Sequence, residues 1–169
     1  MGEIRSTLDI IMEKAKKVEV TEEDKATFMR RELEGKARAF IQQYVDGFID
    51  AQRLKEEIEA LGPDRHVEAV SALRRESLKR LTPDGDNRPM LEILSRVVGA
   101  DTAAIENRIL TYREKLHANR AQREAALKDH FKSKGISGSA VIPNIKADPE
   151  WLSQLAEARE RFGREIQVS

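Results

Sequence analysis

The nearest approach to a catalytic or metal-binding motif in this sequence is a glutamate and a histidine one helical turn apart. Glu114 and His117 form a Glu-x-x-His motif, and this spacing places both side chains on one face of a helix. Di-iron carboxylate bundles use two such motifs together with two further glutamates on facing helices. The other two histidines, His66 and His130, have no glutamate three residues before them. The sequence therefore carries half of such a site, and we expect Glu114 and His117 to be solvated.

Metal binding stays open as an alternative function, in which Glu32 or Glu34 of another helix would complete the site. Other approaches to ligand motifs fail on spacing. The loop at residues 83–87 lacks the ligand order and the closing glutamate of a calcium loop, and no P-loop lysine follows the glycines at residues 135–139. No serine, threonine or lysine occupies a recognisable nucleophile motif. We therefore predict a protein that is not an enzyme, with no catalytic residues and no cofactor.

Pairs of basic residues raise nucleic-acid binding as a second alternative. Acidic residues lie within one or two helical turns of each pair, an arrangement that favours ion pairs within helices over an unbalanced phosphate-binding face. The 30 basic and 30 acidic side chains give a formal net charge of zero. Nucleic acid is therefore not the partner we expect. The basic groups are Arg30-Arg31, Arg74-Arg75, Lys79-Arg80, and Arg120 with Arg123.

The composition indicates a helical protein with much charged surface. Charged residues make up 36% of the 169 residues and aromatic residues only 5%, which suits solvated helices better than a large compact core. There is no cysteine, so disulfides and thiolate chemistry are excluded. The first residues are charged and lack the apolar run of a signal peptide, and no stretch is apolar enough to predict a membrane span. We expect a cytoplasmic protein with no membrane partner.

Apolar spacing predicts a series of helices and no strand. A helix is expected over residues 3–17, followed by a long helix from the Thr21 cap to Gly62, about 60 Å if it is continuous. Further helices are predicted over residues 64–81 with Asp64 as the cap, 89–98, 102–134 and 148–162. In the helix over residues 102–134, Ile105 and its successors form a 4-3 apolar seam, which is lost after residue 116.

The long helix carries a heptad pattern typical of a helix packed along a partner. Its middle is broadened by a second apolar stripe that includes Phe48, so we expect Phe40, Tyr44 and Phe48 to contact more than one neighbour. The seam consists of Leu33, Ala37, Phe40, Tyr44, Gly47, Ala51, Leu54, Ile58 and Leu61.

Residues 135–147, here called the strap, combine glycines with apolar side chains that favour burial. Ile136, Val141, Ile142 and Ile145 lie in this segment, and proline at position 143 disfavours a helix at the residue before it. We therefore expect an extended apolar segment lying across a groove between helices. It would deliver a C-terminal helix that docks through three apolar residues, which are Trp151, Leu155 and Phe162.

These patterns predict an all-α fold: an elongated helical bundle, or a coiled-coil-like hairpin of two long helices, with shorter helices and the C-terminal strap and helix. Residues 1–134 would form the bundle, 135–147 the strap and 148–169 the docking helix. Whether that helix docks on its own chain or on a partner copy stays open. The expected function is a non-enzymatic adaptor, scaffold or chaperone-like protein that binds itself as a homodimer or another helical protein.

Overall fold

The computed structural model describes residues 21–167. The helix expected over residues 3–17 therefore lies outside the described residues. Six α-helices follow one another in this part of the chain, joined by a π-helical turn at Ile93–Val97 and a short 3-10 turn at Ile145–Ala147. The α-helices are α1 (Glu22–Val45), α2 (Ala51–Glu59), α3 (Pro63–Arg80), α4 (Arg88–Glu92), α5 (Ala103–Ser133) and α6 (Pro149–Gln167).

The all-α prediction is confirmed, since residues 21–167 contain helices and no strand. Helix α3 lies at the centre, packing against α1, α2, α4 and α6. The main apolar core draws side chains from α1 through α6, including Leu33 of α1, Leu54 of α2, Leu73 of α3, Ile105 of α5 and Phe162 of α6. The C-terminal helix therefore shares its core with the rest of the same chain.

The continuous helix expected from residue 21 to residue 62 is wrong, because the chain turns between α1 and α2. Gly47 follows the C-cap of α1 with a φ of 76°, in the left-handed region that glycine adopts without steric cost. The Phe48 amide donates to the Gln43 carbonyl and the Gly47 amide to the Tyr44 carbonyl, the paired bonds of a Schellman motif. The Asp50 carboxylate then accepts from the Arg53 amide at 2.7 Å and begins α2.

Helix α1 is the main packing partner of α3. Three small side chains, Ala69, Ala72 and Ser77, are buried on α3. Ion pairs then link the two helices along the edges of this contact. They are Arg65–Glu32 at 3.4 Å, Arg75–Glu34 at 3.7 Å and Arg38–Glu76 at 3.4 Å.

The start of α3 differs from the expected cap. Gly62 is the N-cap, with a φ of 84°, and Pro63 takes the first helical position. Proline is suited to that position because its missing amide would have no helical acceptor there. Asp64 therefore lies in the first turn, where its negative charge interacts favourably with the positive end of the helix dipole.

The expected end of α5 and its apolar seam are confirmed. Gly135 terminates the helix with a φ of 81°, and the Ile136 amide donates to the Phe131 carbonyl in a second Schellman motif. The buried residues of α5 are the four that the 4-3 spacing selects: Ile105, Ile109, Tyr112 and Leu116.

The two longest helices have different main partners. Helix α1 packs chiefly against α3, whereas α5 packs chiefly against α6. A coiled-coil hairpin of the two long helices is therefore not confirmed. The break at residues 46–50 also divides the heptad seam between α1 and α2, and both halves contribute to one core.

Helix α6 docks by its far end as well as by its beginning. Phe162 is fully buried and its ring meets Tyr112 edge to face at 5.3 Å between centroids. The Tyr112 hydroxyl donates to the Glu165 carboxylate at 2.9 Å. Helix α6 also extends beyond the predicted end at residue 162, which lets Ile166 join the core. Across residues 21–167, none of the helices has the length and apolar character needed to span a bilayer.

Replacing Phe162 with alanine should lower the free energy of unfolding by about 3–5 kcal/mol, because it leaves a cavity in the core. The same substitution at Phe28, whose side chain is 72% exposed, should change it by no more than about 0.5 kcal/mol. Urea unfolding of the two variants measures both values. Equal effects would show that α6 does not contribute to the core as described.

Candidate functional site

The main candidate site is a groove between α5 and α6, here called the basic-rimmed groove. It is an open cavity of about 480 Å³. Pro83 and Asp84, from the loop between α3 and α4, close one side. Its floor is apolar and consists of Leu116, Ile145, Trp151 and Leu155. Its rim is basic and consists of Arg113, His117, Arg120 and Lys146.

One face of α5 supplies most of the rim and part of the floor. Arg113, Leu116, His117 and Arg120 follow one another at helical spacing, so they project on one side of the helix. Leu116 is buried against Ile145 and forms a small second core there. The remaining floor residues belong to the 3-10 turn and the first turns of α6. The groove therefore exists only while α6 lies beside α5.

The carboxylate of Asp148 holds the beginning of α6 against α5. Asp148 is 8% exposed and accepts two hydrogen bonds from the Arg123 guanidinium, at 2.7 and 2.9 Å. The same carboxylate accepts from the Trp151 amide at 2.9 Å, capping the first turn of α6. The Arg123 hydrogen bond holds the pKa of Asp148 below its ordinary value of 3.8, although desolvation opposes the shift. One side chain thus sets both the start and the position of α6.

A second ion pair ties α6 to the loop between α3 and α4. The Arg159 guanidinium donates two hydrogen bonds to the Asp84 carboxylate, at 3.0 and 2.6 Å. These bonds lower the pKa of Asp84 from its ordinary value. The loop itself is closed by the buried Asn87, whose side chain exchanges hydrogen bonds with the backbone of Thr82. The wall of the groove at Pro83 and Asp84 is therefore anchored at two points.

The rim of the groove carries more positive than negative charge. Its carboxylate, Asp84, is engaged by Arg159, and Arg120 pairs with Glu124 at 2.8 Å. Arg113 donates to the Gly85 carbonyl. Within residues 21–167, Lys146 has no carboxylate within ion-pair distance. An apolar floor beneath a cationic rim fits a ligand that has an apolar body and an anionic end.

Glu114 and His117, the candidates for a metal motif, are both exposed on α5, as expected. His117 lines the basic-rimmed groove, whereas Glu114 is exposed on α5 and does not line it. The glutamates expected to complete the site are engaged elsewhere, Glu32 with Lys36 and Arg65, and Glu34 with Arg75. Over residues 21–167, no three histidine, aspartate or glutamate side chains gather in a way that could hold a metal ion.

The strap is not the buried apolar segment that its composition predicts. Ile145 is buried and Val141 is half-buried, but Ile136 is 54% exposed and Ile142 is 86% exposed. The positive φ values of Gly135 and Gly138, 81° and 138°, turn the chain tightly after α5 instead of laying it across a groove. Burial of the strap is therefore confirmed for Ile145 and wrong for Ile136 and Ile142.

The predicted docking residues of α6 pack against helices of their own chain. Trp151 and Phe162 are buried and Leu155 is half-buried. Trp151 belongs to the second core with Leu116 and Ile145, and Phe162 belongs to the main core. All three residues thus contact the bundle in the single chain.

The aromatic residues expected in the middle of the long helix lie around a second cavity. Phe40 and Tyr44 are half-buried against the core, but Phe48 is 79% exposed because it follows the break in the helix. Tyr44 and Phe48 line an open cavity of about 880 Å³ between α1, α2 and α4. Desolvation, with a hydrogen bond to Glu92, raises the pKa of Tyr44 to about 12. Tyr44 therefore stays a neutral hydrogen-bond donor.

Sequence reasoning missed the ion pair that positions α6 and so forms the groove. Arg123 and Asp148 are 25 positions apart, and no local pattern joins them. The Asp-Pro-Glu-Trp sequence at the start of α6 is a local signal for a helix cap, but it does not indicate the second bonding partner of the cap. Several of the basic groups in the sequence form ion pairs, for example Lys79 with Glu76 at 2.8 Å. This pairing of charges does not favour nucleic-acid binding.

We find no protein-family model that matches the chain, and no curated protein or solved structure with significant similarity to it.

Replacing Asp148 with asparagine should lower the stability of the protein at neutral pH and alter its dependence on pH. A carboxyl whose pKa is lowered by folding adds stability above its unfolded pKa and loses it as the pH falls through the folded pKa. The difference between wild type and Asp148→Asn should therefore be largest above about pH 5, shrink near pH 3.8 and vanish below the folded pKa. Unfolding curves recorded from pH 7 to acid measure it.

Glu150→Gln provides the matched control, because Glu150 contacts the same guanidinium at 2.6 Å but is 58% exposed in its side chain. An exposed ion pair contributes little to stability, so this variant should remain close to wild type. An Asp148→Asn variant as stable as wild type at neutral pH would contradict the role given to Asp148.

Proposed function

We propose that the protein is a non-enzymatic helical interaction protein of the cytoplasm that associates with a second copy of itself through the strap. One observation carries the proposal: the strap keeps Ile136 and Ile142 exposed at 54% and 86% while the rest of the C-terminal segment is docked. Burial of an exposed isoleucine stabilises a contact by about 1.5–3 kcal/mol. The proposed cytoplasmic location rests on the amino-acid composition.

The charge pattern of the strap favours a second copy as its partner. Residues 136–145 contain no Asp, Glu, Lys, Arg or His in a chain that is 36% charged. In a twofold dimer the same patch of both copies meets itself, and any charge on the axis would face its own like charge. An uncharged apolar segment avoids this repulsion. The zero formal net charge of the whole chain also removes long-range repulsion between copies.

The docked position of α6 argues for a surface contact of the strap in preference to an exchange of α6 between copies. The main core of the single chain includes Phe162 and Ile166, and Asp148 and Asp84 pair with arginines of α5 and α6 in the same chain. These contacts are satisfied without a partner. Ile136 and Ile142 of the strap, by contrast, stay exposed in the single chain.

The double variant Ile136→Asp/Ile142→Asp should be monomeric. Wild type should show about twice the 19.2 kDa chain mass by light scattering at concentrations where the double variant shows the monomer mass, because two carboxylates would be buried without partners. Helical content measured by circular dichroism should be unchanged, since both side chains are exposed in the single chain.

Val67→Asp is the matched control, because Val67 is 70% exposed on α3 and lies outside the strap. This variant should remain dimeric. A monomeric wild type would overturn self-association, and a double variant that stays dimeric would overturn the role of the strap in favour of exchange of α6. Truncation after Lys134 is a poorer test, because it also removes Phe162 and Ile166 from the core.

A further inference from the structure

The basic-rimmed groove has chemistry that self-association through the strap does not use. Its four rim residues are cationic or hydrogen-bonding side chains, and its four floor residues are apolar. Ile145 and Lys146 at the end of the strap line the groove, but neither Ile136 nor Ile142, the residues of the proposed dimer contact, does. A function for the groove can therefore be argued and tested independently of the oligomeric state.

We propose that the basic-rimmed groove binds a small organic carboxylate with an aromatic or branched aliphatic body. The body lies on Leu116, Ile145, Trp151 and Leu155, and the carboxylate meets the basic rim. The cavity volume of about 480 Å³ falls within the range of about 300–1,000 Å³ that small-molecule sites occupy. Aromatic and aliphatic floors with a few convergent polar groups are typical of such sites.

The rim residues indicate where the carboxylate of the ligand binds. The hydrogen bond from Arg113 to the Gly85 carbonyl orients the guanidinium but uses only one of its five N–H donors. Lys146 lines the same groove, next to the buried Ile145, and has no ion-pair partner within residues 21–167. A carboxylate bound at this rim would gain charge-assisted hydrogen bonds from these cations.

Other ligand classes fit the groove less well. A metal cation would be repelled by Arg113, Arg120 and Lys146. Inorganic phosphate would satisfy the rim but leave the apolar floor exposed to water, and a neutral apolar molecule would cover the floor but offer Lys146 no anionic partner. Only a molecule with both parts matches the floor and the rim together.

Trp151 allows binding to be measured directly. It is the one tryptophan of the chain and forms part of the groove floor, so its fluorescence reports on this site. Titration of the full-length protein with 3-phenylpropanoate should give a saturable change with a Kd of about 1 mM or tighter. The uncharged 3-phenylpropanamide, which has nearly the same shape, should bind at least about 5-fold more weakly, because it cannot form ion pairs with the rim.

Two variants test separately how the rim and the floor contribute to ligand binding. Lys146→Glu should weaken binding of the carboxylate by about 5-fold, as expected for loss and reversal of an exposed ion pair, and leave binding of the amide unchanged. Leu155→Ala should weaken both ligands, because both place the same phenyl group on the floor. Lys128→Glu makes the same charge change on α5 outside the groove and should bind both ligands as wild type does.

The proposal is overturned by either of two results. The first is the absence of saturable binding of 3-phenylpropanoate to wild type with a Kd tighter than about 10 mM. The second is equal binding of the carboxylate and the amide, which would show that the rim does not select the anion. A Lys146→Glu variant that binds the carboxylate as wild type does would likewise remove Lys146 from the site. Light scattering of the same samples shows whether self-association stands or fails separately.

Discussion

The position of the C-terminal helix depends on the carboxylate of Asp148. This carboxylate is buried. It accepts two hydrogen bonds from the Arg123 guanidinium of α5 and one from the Trp151 amide of α6. A buried carboxylate without such partners would carry a large desolvation cost. The direction of α6 away from this point allows Phe162 and Ile166 to reach the core. The groove floor, the end of the strap and the second core are all consequences of this arrangement.

The same arrangement explains why the strap is exposed. Because Asp148 and Ile145 are held against α5 and Gly135 ends that helix, the nine residues between Gly135 and Ile145 must form a return loop. A loop over this short path turns at its glycines and leaves the side chains of Ile136 and Ile142 exposed. Exposure of these side chains thus follows from the docking of α6, and it supplies the apolar surface on which proposed self-association rests.

Local signals in the sequence predicted part of the fold correctly. The 4-3 spacing in α5 identified Ile105, Ile109, Tyr112 and Leu116 as buried, because helical periodicity directly selects one face. The break after Val45 was also encoded locally, by Gly47 and Asp50, but it was hidden because the heptad spacing continues across it. Apolar spacing shows which residues favour burial; it does not show whether the backbone between them stays helical. The glycine and the aspartate cap were the stronger signals.

The amino-acid sequence by itself determined the all-α class, the ends of α5, the cap of α6 and the absence of thiol chemistry, since these depend on residue types and short-range hydrogen bonds. Only the tertiary structure decided that His117 lies at a groove without Glu114, that Arg123 meets Asp148, and that Ile142 faces solvent. Each of these three observations depends on how the helices pack against one another. Such contacts form between residues that are far apart in the sequence, so no local sequence pattern predicts them.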